Sequence, residues 1–133
     1  MLFCMATSLL VWAHGRKKSF GYAINGLSAL YRETNARIHA VATALVVALG
    51  VVLGLSSLDW TLLAIAATVV WVAEALNTAL EALSDAAVPE YSPHIAIAKD
   101  VAAGAVLLAS LGAVAVGLLV FVPHLSVRLG YPG

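Results

Sequence analysis

The sequence predicts an all-α integral membrane protein, with three transmembrane helices preceded by an amphipathic surface helix. Three observations carry that prediction. Of 133 residues, 62% are hydrophobic and only 11% charged, with a strongly positive mean hydropathy, which is a membrane protein's composition. Three apolar stretches, at 38–55, 59–87 and 95–122, approach or exceed the length that a bilayer demands, about 20 residues. Basic residues gather before the first stretch, as they do on the cytoplasmic flank of a membrane span. The formal net charge of zero argues against nucleic acid, which needs clustered positive charge. The length permits one domain, placed at 15–125 between an N-terminal extension and a tail over 126–133. The single cysteine, Cys4, excludes an internal disulfide and any cysteine metal cluster.

Residues 1–14 form an apolar run too short to span a bilayer. Arg16, Lys17 and Lys18 follow it, whereas a secretory signal carries its positive charges first. The run is read as an interfacial or disordered extension. The surface helix comes next, at 18–33. Phe20, Ala23, Ile24, Leu27, Leu30 and Tyr31 recur at helical spacing, and Arg16 to Lys18, Arg32, Glu33 and Arg37 flank them, which suits a helix lying in the membrane interface. Gly21 and Gly26 weaken it in isolation.

The first span, 38–55, has His39 and Thr43 as its only clearly polar members. A turn is expected over Ser56 to Asp59, followed by Trp60 as an interfacial aromatic. The second span, 59–87, stays apolar to Ala73 and then turns polar without leaving helical register. Pro89 and Pro93 mark the linker from Val88 to His94. The third span, 95–122, carries Lys99 and Asp100 early. Its Gly104, Gly112 and Gly117 suggest close approach of neighbouring helices.

The polar segment, EALNTALEALSD from Glu74 to Asp85, is the chain's main anomaly. With Glu74 at zero, Asn77 falls at about −60°, Thr78 at about +40°, Glu81 at about −20° and Asp85 at about +20° around the helix. All five share one stripe. A carboxylate removed from water costs several kcal/mol unless paired, protonated or metal-bound, so the stripe is a candidate site. Five of the seven basic residues precede the first span, and Lys99 lies beside the second linker. The N-terminus and the Val88–His94 linker are therefore expected on the cytoplasmic side, with Ser56 to Asp59 and the tail bearing Arg128 outside. One polar cluster at the inner interface would then collect the stripe, Lys99, Asp100 and Glu33.

The chain has no Gly-rich phosphate loop and no soluble-kinase signature set, and no His pair or Cys/His spacing suggests zinc. Ser84 and Ser92 lie near His94 in sequence, but no strand-turn-helix elbow supports a serine nucleophile. Carboxylates, an amide and basic groups remain. Hard oxygen ligands suit Mg²⁺, which commonly bridges phosphates, and a deep Glu can accept a proton from an alcohol.

These residues carry a resemblance. The segment EALNTALEALSD, then PEYSP and IAKDVAAGAVL, together with KSFGYAINGL and NARIH upstream, resembles the prokaryotic diacylglycerol kinase family, most closely its undecaprenol kinase branch. The resemblance covers about Lys18 to Leu125. It implies a homotrimer in the bacterial plasma (inner) membrane, with an amphipathic surface helix, that transfers the γ-phosphoryl group of MgATP to a lipid alcohol at cytoplasmic sites shared between subunits. Undecaprenol is the favoured acceptor over diacylglycerol. By the same resemblance, Glu74 matches the general base at the lipid hydroxyl and Asn77 the amide beside it. Glu81 and Glu33 match the carboxylates holding metal-bound nucleotide, and Lys99 and Asp100 match a catalytic pair near the phosphates. Lys18, Tyr22 and Glu90 match nucleotide-binding positions. Between Gly26 and Glu33 the chain is one residue shorter than the family pattern, which turns Glu33 by about 100° if the helix is continuous.

Rival readings are a proton- or ion-coupled transporter subunit and a non-catalytic membrane scaffold, since either can place Glu and Asn within a span. A transporter predicts polar residues through the full membrane thickness, which the outer halves of these spans lack. Asp85 is equally well a solvated helix end. His39 and His94 read as interfacial polar groups, His124 as an outer-side residue, Trp60 as a membrane anchor, and Trp71 as lipid-facing or packing.

Overall fold

The computed structural model describes residues 18–130, so the apolar extension at 1–14 lies outside the described residues. The chain divides after Glu33 into two units. In the first, residues 18–30 form helix α1, closed by a tight turn in which the Arg32 amide donates to Ala29 O and the Glu33 amide to Leu30 O, each at 3.0 Å. Phe20, Ile24, Leu27 and Tyr31 fall on one stripe of it and are all exposed. Glu33 thus sits in the closing turn. The helix is not continuous there, so the 100° rotation expected from the missing residue does not apply.

The second unit holds three helices in up-down-up order, α2 (Thr34–Leu53), α3 (Ser57–Ala87) and α4 (Pro93–Arg128). All three are long and apolar enough to cross a membrane, which suits a multi-pass membrane protein. α3 and α4 pack along one another extensively, while α2 touches both more sparsely. The small buried core is Leu55, Leu63, Val120 and Phe121, with Val46, Leu53, Trp60 and Val116 around it. Most other large apolar side chains, including Leu45, Val51, Leu76, Leu108 and Leu119, are exposed, as expected where lipid is the solvent.

The α2–α3 connection is tighter than the expected Ser56–Asp59 turn. Gly54, at φ +70°, closes α2 in the left-handed region, with its amide donating to Val51 O and the Leu55 amide to Gly50 O. Ser56 then caps α3, so Ser57, Leu58 and Asp59 already belong to its first turn. The Ser56 hydroxyl accepts from the Asp59 amide at 3.2 Å, and the Asp59 carboxylate accepts from the Ser56 amide at 3.0 Å. Trp60 lies inward, against the core and over Gly50, rather than serving only as an anchor.

Two prolines behave differently from simple helix stops. Pro93 opens α4 at its first turn, where the missing N–H has no helical partner to lose. Pro123 lies inside α4, which continues to Arg128. That extension places His124 Nε2 3.5 Å from Asp59 Oδ2, and Arg128 Nη2 donates to Val52 O at 3.1 Å. The end of α4 therefore ties the start of α3 to the end of α2. Gly104 and Gly112 have open space around them, so the close approach expected there does not occur among the described residues.

Candidate functional site

The stripe on α3 is graded in exposure. Glu74 is 1% and Asn77 6% exposed, while Glu81 is half-buried and Asp85 open. Helical spacing alone puts them in line; α2 and α4 decide what each faces. Asn35, Ile38 and His39 of α2, with Ala103, Val106, Leu107 and Ser110 of α4, close a hollow of about 290 Å³ around Glu74, Asn77 and Glu81. Asn77 Nδ2 donates to Glu81 Oε1 at 3.1 Å, fixing the acid one turn along. Its Oδ1 is buried without a hydrogen-bond partner among the described residues. An unsatisfied buried acceptor is costly, and it leaves an amide ready to meet a ligand's donor.

His39 reaches the inner wall of this hollow. Its Nε2 lies 3.9 Å from Glu74 Oε2, with side-chain exposures of 17% and 2%. The imidazole also meets the Trp71 ring edge-on, at 6.4 Å between centroids and 66° between planes. Trp71 Nε1 donates to Thr43 Oγ1 at 3.2 Å, and Thr43 Oγ1 donates to His39 O at 2.7 Å. Trp71 is thus a packing residue with a polar partner. His39 faces a carboxylate rather than only an interface.

A second hollow, about 480 Å³, lies where α3 passes into α4, lined by Asp85, Glu90, Lys99 and Asp100 among others. Lys99 Nζ donates to Asp85 Oδ1 at 2.9 Å, an ion pair whose side chains are 35% and 71% exposed. Asp85 is thereby the stripe's link to α4 rather than only a solvated end. The single expected cluster is two neighbouring hollows on the second unit: Glu74, Asn77 and Glu81 share one, and Glu90, Lys99 and Asp100 share the other with Asp85. Lys18, Tyr22 and Glu33 belong to the first unit, where all three are exposed. Among the described residues no three His, Cys, Asp or Glu side chains gather as a metal cage.

The sequence does not mark His39 as a member of these hollows, and it leaves Asp85 open between site and solvated helix end. Asp85 had a signal, because it follows Glu81 at i+4 on the stripe. His39 had only its rarity as a polar residue in the first span.

The profile of the family described as prokaryotic diacylglycerol kinase matches residues 21–121. A protein named diacylglycerol kinase from Synechocystis sp. (strain ATCC 27184 / PCC 6803 / Kazusa) is 41% identical over 109 residues, covering 80% of this chain and 62% of that protein. The chain thus spans less than two thirds of that relative's length. A protein named undecaprenol kinase from Bacillus subtilis (strain 168) is 35% identical over 109 residues, covering 81% of this chain and 89% of that protein.

Proposed function

Because the chain belongs to the prokaryotic diacylglycerol kinase family, we propose that it transfers the γ-phosphoryl group of MgATP to the hydroxyl of a membrane lipid alcohol, with undecaprenol preferred. The observation that carries this reading is the grading of α3 from buried Glu74 and Asn77 to half-buried Glu81 and the Asp85–Lys99 pair. If the hydrocarbon core begins at Ser57, Glu74 lies about 26 Å along the axis and Glu81 about 36 Å, on either side of the far edge of a core about 30 Å thick. A lipid hydroxyl and a soluble phosphate donor meet at that depth.

Glu74 accepts the proton of the acceptor hydroxyl as its oxygen forms the bond to Pγ and the Pγ–O bond to ADP breaks. Asn77 holds Glu81 and offers its free Oδ1. Lys99, held by Asp85, neutralises charge on the phosphoryl group, and Asp100 and Glu90 line the same nucleotide-side hollow. Hard oxygen donors such as the Glu81 carboxylate fit Mg²⁺, which takes one or two carboxylates and completes its shell with phosphate and water. In the second unit Glu81 is the carboxylate that would hold it, and bound Mg²⁺ would neutralise phosphate charge; Glu33 of the first unit is a metal-holding position by the family resemblance alone. In the first unit, taken by itself, Lys18 and Tyr22 of α1 are nucleotide-binding positions by the family resemblance, and the apolar stripe of α1 suits the membrane interface. The working form is a homotrimer in a bacterial inner membrane with its sites on the cytoplasmic side. The PEYSP and IAKDVAAGAVL segments support undecaprenol as acceptor.

The test is to supply the purified, folded protein with labelled ATP, Mg²⁺ and either undecaprenol or diacylglycerol in the same vesicles. Labelled undecaprenyl phosphate should form faster than labelled phosphatidic acid. Labelling of neither lipid would overturn the kinase reading, and faster labelling of diacylglycerol would overturn the preference.

A further inference from the structure

We infer that His39 is a positioning residue for the Glu74 carboxylate, held in place by a polar clasp between α2 and α3; this rests on the reading of Glu74 as the base. The clasp is built from two pairs at helical spacing. His39 and Thr43 stand one turn apart on α2, and Trp71 and Glu74 nearly one turn apart on α3, so the pairs can face each other across one interface. Thr43 Oγ1 donates to the carbonyl of His39 at 2.7 Å and accepts from Trp71 Nε1 at 3.2 Å. The Trp71 ring, fixed by that bond, meets the His39 imidazole edge-on, and His39 Nε2 comes to 3.9 Å from Glu74 Oε2.

The packing explains why such a clasp is needed. α2 touches α3 and α4 sparsely, and the apolar core is at the opposite end, around Leu63 and Phe121. Non-directional apolar contacts alone leave the register of α2 at the Glu74 level weakly specified. Directional bonds fix it. A carboxylate that must take a proton from an alcohol has to point one way, and misplacement by about 1 Å can cost on the order of 100-fold in rate. At 3.9 Å the imidazole is beyond hydrogen-bond distance yet close enough for its dipole to orient the carboxylate without taking its proton-accepting lone pair.

The experiment compares His39→Leu, His39→Gln, Trp71→Phe and Glu74→Gln by steady-state phosphorylation of vesicle-borne undecaprenol, with MgATP varied and folding checked by circular dichroism. His39→Leu should lower kcat at least tenfold and leave KM for MgATP within twofold. His39→Gln, which restores a polar N–H of similar reach, should recover at least a third of the loss. Trp71→Phe keeps the aromatic edge but loses the bond to Thr43, and should fall between wild type and His39→Leu. The His39→Leu/Glu74→Gln double variant should be no slower than Glu74→Gln alone. Unchanged kcat in His39→Leu overturns the proposal. So does a fall in kcat with an equal rise in KM that Gln does not relieve, which marks a purely structural role. If His39→Leu does not fold, His39→Asn, too short to reach Glu74, is read by the same criteria. Retained turnover in Glu74→Gln sinks the assignment of the base itself, a result distinct from any His39 outcome.

Discussion

Asp85 pairs with Lys99 at 2.9 Å although its side chain is 71% exposed. An ion pair that open to water contributes little to stability, so its value lies in where it holds the ammonium group. Kinetics should separate the partners. Lys99→Met removes the charge proposed to meet the phosphoryl group, and should lower kcat by about 100-fold or more. Asp85→Asn leaves the charge but frees the lysine, and should raise KM for MgATP about three- to tenfold with kcat changed less than twofold. Kinetics unchanged by Asp85→Asn would reduce the pair to a surface contact. At this scale the sequence exposes Glu74, Asn77 and Glu81, because acids and an amide interrupt an apolar helix on a single face. It does not expose His39, because an imidazole at the start of a span reads the same whether it meets headgroups or a carboxylate. Only the register of α2 against α3 distinguishes them, and that register depends on the Thr43–Trp71 bond.

Glycine use shows what is and is not legible in an element. All three spans follow from apolar length, and the Gly54 turn and Ser56 cap complete the first connection with local chemistry. The face on which a helix is approached is another matter. Gly104, Gly112 and Gly117 lie at about 0°, 80° and −140° around α4, so they form no common face, and the closest side chain, Phe121, comes only to 4.0 Å from a Cβ built at Gly117. The close contact is at Gly50 of α2, where an added Cβ would stand 2.7 Å from Trp60 Cη2 and 3.1 Å from Leu55 Cδ1. Gly50→Ala gains about 1 kcal/mol in helix propensity but suffers overpacking worth about 1–3 kcal/mol. A net loss of about 1 kcal/mol is expected by unfolding in mixed SDS and dodecylmaltoside micelles. In a Trp60→Leu background the sign should reverse, because the ring contact is gone and the remaining one, at 3.1 Å, is to the flexible end of Leu55. Stabilisation by Gly50→Ala in the wild-type background would show that the ring yields freely.

Across the whole chain, polar groups concentrate at the two ends of the three-helix unit. One end carries Ser56, Asp59 and His124, linked through Asp59, and Arg128, which bonds to Val52 O at the end of α2. The other carries Glu81, Asp85, Glu90, Lys99 and Asp100. The helical strip between them presents apolar side chains outward. Orientation then decides function, because a soluble nucleotide reaches only one side of the membrane. Four of the seven basic residues precede α2 and a fifth, Arg37, stands near its start, so the positive-inside rule predicts the end with Lys99 on the cytoplasmic side. In a Cys4→Ser background, Ser57→Cys and Tyr91→Cys place single exposed thiols at opposite ends. An impermeant maleimide should label Ser57→Cys on intact spheroplasts, and Tyr91→Cys only after lysis. The reverse pattern would put Lys99 and Asp85 outside, away from cytoplasmic ATP. A kinase working from that hollow would then have no donor, and the proposed reaction would fail for want of substrate even with every side chain in place.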